Sequence, residues 1–316
     1  MNIRRDLDEM SGVPGLAAVA IGTFDGVHRG HQSVVRAAVK KAATMGGAPW
    51  VLTFDPHPMK VLRPREAPLL LTSTPHKLKL LHDLGITGCL LLSFTPRLAS
   101  QEPEDFLKTL SASWPGARDL VVGSNWTFGH RGRGNVELLR RWASGAGVQV
   151  TTVDPMAWDG LPISSTRIRQ AVQAGCLEDA RAMLGRPFSL LGTVMAGRRV
   201  GTRLGFPTAN LDPHNEVLPP PGVYAVRAMM KEGEWLGAAF LDDKPHEGLS
   251  AEARLVEVYF LDFGGGELYG RDVEVFFTRR LREVRHFDSP EALRAQITRD
   301  VECVRAEARN ATAPGE

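Results

Sequence analysis

The sequence predicts an α/β protein of two domains: an N-terminal domain built on a parallel sheet, and a C-terminal antiparallel β-barrel that ends in a helix. A chain of 316 residues is long enough for about two domains. Over the first half, short apolar runs alternate with helical patterns, as in parallel sheets. Past the Leu-Gly-Arg-Pro sequence at 184–187, short β-patterned runs separated by glycine and proline replace that alternation. We therefore expect domains over 1–186 and 187–306, with a frayed tail over 307–316.

The first predicted strand, over residues 16–21, leads into a glycine-rich turn and then a helix. Three glycines allow a ligand to approach the backbone closely and permit positive φ angles: Gly22, Gly26 and Gly30. A helix start favours bound phosphate, and the spacing of His28 and His31 lets both imidazoles face one phosphate group. The sequence therefore predicts a phosphate-binding turn, with a solvated turn as the alternative. The turn matches neither a P-loop nor the dinucleotide-binding glycine pattern.

The N-terminal domain then repeats strand and helix. Further strands are expected at 48–54, 88–94, 119–123 and 148–153, and helices at 74–84, 102–110 and 135–144. Prolines end the second strand beside His57, which is either a wall of the same site or a simple turn residue. In the loop over 124–134, Trp126 and Phe128 either bind a planar heterocycle beside phosphate or pack under the loop.

A second helix start follows the last strand of this domain. Ser164 or Ser165 is expected to N-cap a helix that runs to Gly175. With Arg169, the hydroxyl and amide groups of this helix start form a second phosphate cradle, able to face the first. Helix capping alone is the alternative explanation for these serines.

The C-terminal domain is predicted from five β-patterned runs and a closing helix. The runs are at 188–195, 222–230, 235–241, 255–263 and 272–277, and the helix spans 288–305. Glu257 alternates with Val256 and Val258, so its side chain is expected on the opposite face of its strand. The alternative is that Glu257 is an ordinary surface glutamate with no functional role.

The chemistry of this second domain is expected in the stretch 201–211. Gly201, Arg203 and Gly205 can wrap phosphates. Thr208 and Asn210 offer oxygen ligands to a hard cation such as Mg²⁺. A turn before a strand is the alternative for each of these residues.

Composition excludes several classes of protein. The hydrophobic share of 43% and the charged share of 23% are ordinary for a soluble globular chain. A net charge of +2 does not point to a strongly polyanionic partner. Charge alone does not exclude nucleic acid, but nothing in the sequence argues for it, and none is expected. The three widely spaced cysteines suggest neither a disulfide framework nor a metal cluster. Without a signal peptide or a transmembrane run, a cytoplasmic protein with no membrane partner is expected.

Taken in order, the motifs resemble those of the bacterial bifunctional riboflavin kinase/FMN adenylyltransferase family, also called FAD synthetase. The turn at 22–31 resembles the family's nucleotidyltransferase signature, in which Phe24 and Asp25 take part. Further matching segments lie at 53–58, 121–123, 125–129, 163–169, 205–211, 222–226 and 257–263. The resemblance covers nearly the whole chain and implies a Rossmann-like nucleotidyltransferase domain followed by a riboflavin-kinase-like barrel.

The resemblance implies two reactions on small molecules and a role for each motif. Riboflavin and ATP give FMN and ADP in the barrel, and FMN and a second ATP give FAD and pyrophosphate in the N-terminal domain. For adenylyl transfer it implies the catalytic residues His28, His31, Ser164, Ser165 and Arg169. It implies substrate-binding residues at Gly22, Phe24, Asp25, Gly26, Gly30, His57, Asn125, Phe128 and Thr166. For the kinase it implies Glu257 as base, Thr208 and Asn210 as Mg²⁺ ligands, and binding by Gly201, Arg203, Gly205 and Pro207. A monomer or a weak homo-oligomer is expected.

The chain departs from the family pattern mostly in the barrel. Residues 239–246 replace a segment that usually reads Asn-Ile-Gly followed by Arg-Pro-Thr, and Tyr259 stands where histidine is frequent. In the N-terminal domain Trp126 replaces a usual phenylalanine. One alternative is therefore an FAD synthetase whose barrel is a flavin-binding or regulatory module without turnover. A nucleic-acid-linked protein is another alternative, because aminoacyl-tRNA synthetases share the His-x-Gly-His signature. The sequence offers no further support for it, since it has neither a basic face nor a Lys-Met-Ser-Lys-Ser-like loop.

Overall fold

The chain forms two compact units in the computed structural model, which describes residues 1–196, 205–242 and 255–312. The first unit consists of Met1–Leu69 and Thr74–Thr166, and the second of Leu70–Ser73 and Arg167–Glu316. The predicted functional boundary at residue 186 stays a prediction.

The first unit is built on a parallel sheet, as predicted. Within the described part of this unit the sheet has six strands: β1 (Asn2–Arg4), β2 (Ala17–Ile21), β3 (Ala48–Asp55), β4 (Gly88–Ser93), β5 (Ala117–Gly123) and β6 (Gln149–Val153). Their spatial order is β1-β4-β3-β2-β5-β6, and every neighbouring pair is parallel. The central position of β2 explains why all five of its residues are buried.

Helices lie between these strands along the chain, and two more, of which the second lies in the second unit, follow the last strand. They are α1 (Arg29–Thr44), α2 (Pro58–Leu62), α3 (Thr74–Asp83), α4 (Pro96–Ala99), α5 (Pro103–Ser113), α6 (Val136–Ala146), α7 (Ser165–Gln173) and α8 (Leu177–Leu184). A short hairpin of β7 (Ala157–Trp158) and β8 (Leu161–Pro162) precedes α7. The predicted helices are therefore present, and α2, α4 and α8 are additional short ones.

Apolar side chains cover both faces of the sheet. On one face, Ala18 and Ala20 of β2 lie in a cluster with Val35 of α1 and Leu81 of α3. On the other face, Val19 lies in a cluster with residues of β5, α5 and α6, among them Leu120, Leu107 and Leu139. Alternate residues of β2 thus point to opposite layers, which is the packing of a parallel sheet between two helical layers.

The edge strand β1 was not predicted. It has three residues, pairs with β4, and shows no buried residue. A strand this short and this polar carries no alternating pattern, so only its pairing with β4 identifies it.

The second unit contains the predicted antiparallel barrel. Its described strands are β9 (Ser189–Met195), β10 (Thr208–Pro213), β11 (Gly222–Met230), β12 (Gly233–Asp242), β13 (Leu255–Phe260) and β14 (Asp272–Arg282). They close in the order β10-β13-β12-β11-β14-β9, and β9 pairs with β10 to complete the barrel. Every pairing between them is antiparallel.

One barrel strand was missed in the sequence. Thr208–Pro213 was expected only as part of a motif before a strand, yet it forms β10 between β9 and β13. Proline, asparagine and aspartate have low strand propensity, so this segment shows no strand pattern of its own. Its pairing with two neighbours decides its conformation.

A helix closes the chain, as predicted, but it is longer than expected. This helix, α9 (Pro290–Thr312), packs Val301 and Val304 in a cluster with Ala225 and Leu261 of the barrel. The helix passes its predicted end at residue 305 and runs to Thr312, because no glycine or proline interrupts it before Pro314, and the frayed tail over 307–316 stays a prediction. Residues 313–316 lie outside the described part. Among the residues that the structure describes, no helix has both the length and the apolar composition that crossing a membrane requires.

Candidate active sites

The turn after β2 is strained. Phe24, Gly26 and Val27 have positive φ angles of 53°, 79° and 40°. A β-branched residue rarely adopts this conformation, so the surrounding structure must hold Val27 in it. Gln32 contributes, because its side-chain amide donates to the Val27 carbonyl oxygen at 3.0 Å, and Phe24 and Val27 are both buried. A turn held in such a conformation at a strand end is a candidate functional site.

Two histidine rings stack at the start of α1. His28 is the N-cap residue, and its Nδ1 accepts a hydrogen bond from the backbone N–H of His31 at 3.3 Å. The ring centroids lie 3.6 Å apart, with 18° between the planes. Gly30 permits this arrangement, since a Cβ there would lie 3.2 Å from Cε1 of His28. The structure therefore brings together the two histidines that the spacing predicted to face one ligand.

Burial and neighbouring positive charge hold His31 in its neutral form. The pKa of His31 lies well below 6.5, first because burial disfavours the imidazolium and then because His28 and Lys77 repel a proton. Nδ1 of His28 accepts a hydrogen bond, so Nε2 is the nitrogen of this ring that carries a proton. Nε2 of His28 can therefore donate to a phosphate oxygen.

The second predicted cradle meets the first. The hydroxyl of Ser165, the first residue of α7, donates to the backbone carbonyl oxygen of Asp25 at 2.9 Å. Ser164 beside it is half-buried and Thr166 is exposed. The sequence left open whether these serines only cap a helix. The contact from Ser165 to the glycine-rich turn places the start of α7 against the turn at the end of β2, and phosphate binding by these serines stays a prediction. Arg169, one turn further along α7, is buried.

Two predicted residues follow the strands on either side of β2. His57 follows β3, and Asn125 lies in the exposed loop after β5. Because β3 and β5 are the two neighbours of β2 and run parallel to it, both residues lie at the carboxyl ends of the strands, where the glycine-rich turn also lies. Nδ1 of His57 accepts from the backbone N–H of Met59 at 3.2 Å, so this ring also caps α2. Ligand contact by His57 and Asn125 stays a prediction.

The aromatic pair of the loop after β5 is partly a packing feature. The rings of Trp126 and Phe128 stack with centroids 4.4 Å apart and 11° between planes. Phe128 is buried in the apolar cluster of this face, with its ring centroid 6.2 Å from that of Phe106. Trp126 is half-buried above it. Packing under the loop, one of the two predicted roles, is therefore present for Phe128, and flavin contact stays a prediction.

Lys77 was missed in the sequence. It lies on α3, is buried, and its ammonium group donates to the backbone oxygens of Thr23 and Phe54 and to Oγ1 of Thr53. A signal was present: Lys77 stands three residues before Leu80 and four before Leu81, on the apolar stripe of a predicted helix. A lysine at such a position either reaches out to solvent or has buried partners.

In the barrel, the predicted metal ligands and the predicted base share one strand pair. Asn210 of β10 lies directly opposite Glu257 of β13, and Thr208 lies opposite Tyr259. The Thr208 hydroxyl donates to Oε2 of Glu257 at 3.4 Å. Val256 and Val258 are buried whereas Glu257 is half-buried, so the predicted alternation of this strand is confirmed.

Other predicted barrel residues are only partly described. Gly205 has a positive φ of 89° and Pro207 immediately precedes β10, whereas Gly201 and Arg203 lie outside the described residues. Tyr259, which stands where the family often has histidine, makes an edge contact with the ring of Phe206 at 5.4 Å between centroids. Of the atypical segment, 239–242 is ordinary β12 strand, and 243–246 lies outside the described residues.

Comparisons with known proteins divide the chain in the same way. The family model described as FAD synthetase matches residues 13–167, and the one described as riboflavin kinase matches residues 184–308. The first match contains the histidine turn and the serines of the second cradle, and the second contains Thr208, Asn210 and Glu257.

Relatives match over nearly their full length. The bifunctional riboflavin kinase/FMN adenylyltransferase of Pseudomonas fluorescens is 34% identical over 90% of this chain and 91% of its own. The protein of that name from Listeria monocytogenes is 35% identical, with 91% of each chain covered. A crystal structure described as a macrolide-efflux protein from Streptococcus pneumoniae superposes with a TM-score of 0.81 at 29% identity, covering 96% of this chain and 98% of that one.

Proposed function

The chain belongs to the family of bifunctional riboflavin kinase/FMN adenylyltransferases, and from this premise we propose which residues carry its two reactions. It phosphorylates riboflavin with ATP to give FMN, and it joins FMN to the adenylyl group of a second ATP to give FAD and pyrophosphate. The efflux named for the pneumococcal structure is not proposed for this chain, because both halves match flavin enzymes. For the same reason, a function linked to nucleic acid is not proposed.

Adenylyl transfer belongs to the glycine-rich turn and the start of α7. The observation that carries this proposal is the 2.9 Å hydrogen bond from Ser165 to Asp25, because it joins two phosphate-binding elements into one cradle. A phosphate oxygen of FMN attacks the α-phosphorus of ATP, and the bond from that phosphorus to the bridging oxygen breaks to release pyrophosphate. The reaction needs no nucleophile from the protein, so positioning and charge stabilisation supply the catalysis.

Each residue of the cradle has a proposed role. Nε2–H of His28 and the neutral ring of His31 donate to phosphate oxygens on which charge develops. Ser164 and Thr166 provide hydroxyl donors from the opposite side, and Arg169 provides a fixed positive charge. Further contacts to the nucleotide or the flavin are proposed for Gly22, Phe24, Asp25, Gly26, Gly30, His57, Asn125 and Phe128.

Riboflavin phosphorylation belongs to the strand pair β10–β13. Glu257 takes the proton from the terminal ribityl hydroxyl as that oxygen attacks the γ-phosphorus of ATP, and ADP leaves. The Thr208 hydroxyl donates to Glu257, which fixes the carboxylate while leaving lone pairs on the hydroxyl oxygen. Gly201, Arg203, Gly205 and Pro207 are proposed to hold the phosphates and the flavin.

The oxygen ligands that the barrel offers fit a Mg²⁺ ion that is held mainly by the phosphates of ATP. Among the described residues, no group of three or more His, Cys, Asp or Glu side chains could hold a metal ion. Thr208 and Asn210 are two residues apart on β10, so their oxygens face the same side of the strand and suit a hard cation that keeps phosphate and water ligands. When bound, Mg²⁺ neutralises phosphate charge.

The alternative of a barrel without turnover is not favoured. The riboflavin kinase model matches the barrel and its closing helix, and the relatives are named for both activities. The atypical residues 239–246 are proposed to alter the rate of the kinase rather than to abolish it. Small molecules are the proposed partners, with the chain acting in the cytoplasm as a monomer or a weak homo-oligomer and with functional boundaries at 186 and 306.

One time course tests both reactions. Purified protein is supplied with riboflavin, ATP and Mg²⁺, and riboflavin, FMN and FAD are separated and quantified as the reaction proceeds. FMN is expected to accumulate first and FAD to follow. If supplied FMN becomes FAD but riboflavin never becomes FMN, the proposed roles of Thr208, Asn210 and Glu257 are wrong.

A further inference from the structure

Lys77 is a buried cation whose hydrogen-bonding capacity is fully used. The residue is 7% exposed. Its Nζ donates to the Thr23 carbonyl oxygen at 3.3 Å, to Oγ1 of Thr53 at 3.3 Å and to the Phe54 carbonyl oxygen at 3.1 Å. An ammonium group has three donors, so these three acceptors satisfy it. Burying a charge is unfavourable, and a buried lysine with a full set of partners therefore calls for a reason.

The acceptors lie where two central strands end. Thr23 follows the last residue of β2 by two positions, at the start of the strained turn, and Thr53 and Phe54 are near the end of β3. Oγ1 of Thr53 also donates to the Thr23 carbonyl oxygen at 3.2 Å, so the Thr23 oxygen accepts from both side chains. The pairing of β2 with β3 ends at Ile21 and Leu52, whereas Thr53 and Phe54 still pair with β4. Lys77 therefore adds a link from α3 between β3 and the turn after β2, just past the last residue pair of these two strands.

Charged and titratable groups surround this lysine from several elements. Burial lowers the pKa of Lys77, and the carboxylates of Asp55, at the end of β3, and of Asp25, in the turn, oppose that shift. Cys89 is a neutral thiol, because burial raises its pKa to about 12. The positive charge of Lys77 acts in turn on His31, whose pKa is lowered by burial, by His28 and by Lys77.

We propose that Lys77 is a positioning residue for adenylyl transfer: it ties the ends of β2 and β3 together beneath the glycine-rich turn and so holds the His28–His31 pair in its reactive placement. The inference rests on the proposed role of that pair. Lys77 contacts backbone and Thr53, and its effect on the reaction passes through the turn. A displacement of about 1 Å in such a site is enough to slow catalysis on the order of 100-fold.

A charge-removing variant tests the proposal against a matched control on the same helix. Lys77→Met keeps an unbranched side chain, one atom shorter than lysine, and removes all three hydrogen bonds. Lys79→Met removes a half-buried lysine of α3 that pairs with Asp83 at 2.8 Å. We expect Lys77→Met to lower kcat for FAD formation by about 10- to 100-fold with a smaller change in KM for FMN. FMN formation by the barrel is expected to stay unchanged, as are both activities in Lys79→Met.

A spectroscopic signature separates positioning from a general loss of structure. The NMR titration of the His31 imidazole, assigned by its loss in His31→Asn, is expected to move to higher pH in Lys77→Met, because a repelling charge is gone. Unchanged kcat together with an unmoved His31 titration would overturn the proposal. If wild-type protein forms no FAD, the role proposed for the histidine pair fails, whereas the titration still reports whether Lys77 acts on His31.

A second variant covers the case in which Lys77→Met does not fold. Thr53→Val removes one acceptor of the lysine, together with the hydrogen bond from the Thr53 hydroxyl to the Thr23 carbonyl oxygen, and keeps the lysine charge. Its kcat for FAD formation is expected to fall by roughly three- to tenfold, as for the loss of a supporting hydrogen-bonded link between the two strand ends, while the His31 titration stays near that of the wild type. A kcat in Thr53→Val equal to that of the wild type would count against the positioning role.

Discussion

At the scale of single residues, close contacts hold the side chains of both candidate sites in fixed positions. In the first unit, the stacked imidazoles 3.6 Å apart follow the left-handed Val27 and lie beside Gly30, where a Cβ would come within 3.2 Å of the His28 ring. In the second, Glu257 is half-buried between two buried valines and accepts a hydrogen bond from Thr208. Substitutions at these positions should therefore act on one reaction at a time.

His31→Ala should lower FAD formation from supplied FMN by about 100- to 1000-fold, the range for removal of one donor from a charge-stabilising site. FMN formation from riboflavin should be unaffected, because Glu257 and its partners lie in the other unit. Product chromatography measures both rates in one preparation. His82→Ala, at an exposed position of α3, is the control and should change neither. Equal loss of both activities in His31→Ala would point to a folding defect.

Glu257→Gln should have the converse effect. The amide oxygen can still accept from Thr208, but glutamine cannot take a proton, so FMN formation should fall by about 100-fold or more. Conversion of supplied FMN to FAD should continue at the wild-type rate. Glu267→Gln, at an exposed loop position, serves as control. Unchanged kinase activity in Glu257→Gln would eliminate this residue as the base.

The pKa of His31 also predicts how stability depends on pH. In the folded chain this pKa is well below 6.5, so as the pH falls below 6.5 the unfolded chain binds the proton first and the folded state loses stability. The free energy of unfolding should therefore decrease on going from pH 7 to pH 5 by more in the wild type than in His31→Gln. Urea unfolding at each pH measures this; an identical pH dependence in the two proteins would contradict it.

At the scale of helices and strands, a few buried polar contacts fix how one element packs on another. Helix α9 is anchored to β14 by Arg282, whose Nε lies 3.1 and 3.0 Å from the two carboxylate oxygens of Asp300. Both side chains are nearly buried, with 12% and 7% exposed. Gln296 on the same helix donates to Asp300 at 2.9 Å. This network orients the helix, while Val301 and Val304 provide its apolar contact with the barrel.

Asp300→Ala should destabilise the second unit by about 3 kcal/mol, because it leaves the buried guanidinium of Arg282 without its carboxylate partner. The midpoint of thermal unfolding, followed by loss of FMN formation on heating, measures the effect. Asp288→Ala, an exposed residue just before the helix, should leave the midpoint within about 1 °C of the wild type, as surface substitutions usually have small effects. An unshifted midpoint in Asp300→Ala would contradict the anchoring role.

For the whole molecule, two compact units with separate candidate sites imply that each reaction can be removed independently. A mixture of His31→Ala and Glu257→Gln should therefore convert riboflavin to FAD, although neither variant does so alone. FAD should appear after a lag, because FMN must pass through solution at a concentration that the second enzyme can use. Chromatographic time courses of the mixture and of each variant measure this. A mixture that makes FMN but no FAD would show that the sites do not act independently.

Local features of the sequence determined the fold class and most of the candidate residues. Short apolar or alternating runs predict strands, and apolar stripes of helical period predict helices, because both patterns reflect which side chains are buried. The parallel sheet, the barrel and the closing helix could therefore all be predicted. The glycine and histidine spacing at 22–31 likewise records a local turn. Strands without their own pattern could not be found in this way: β1 and β10 are defined by the strands that they pair with.

Only the tertiary structure decided which of these local features act together. Ser165 meets Asp25 across 140 positions of the chain, and Lys77 donates to oxygens of the turn after β2 and of β3. The segment Leu70–Ser73 belongs to the second unit although its neighbours in sequence belong to the first. Residue spacing carries information only about neighbours along one helix or strand. A serine that caps and a serine that completes a phosphate cradle therefore look the same until the chain is folded.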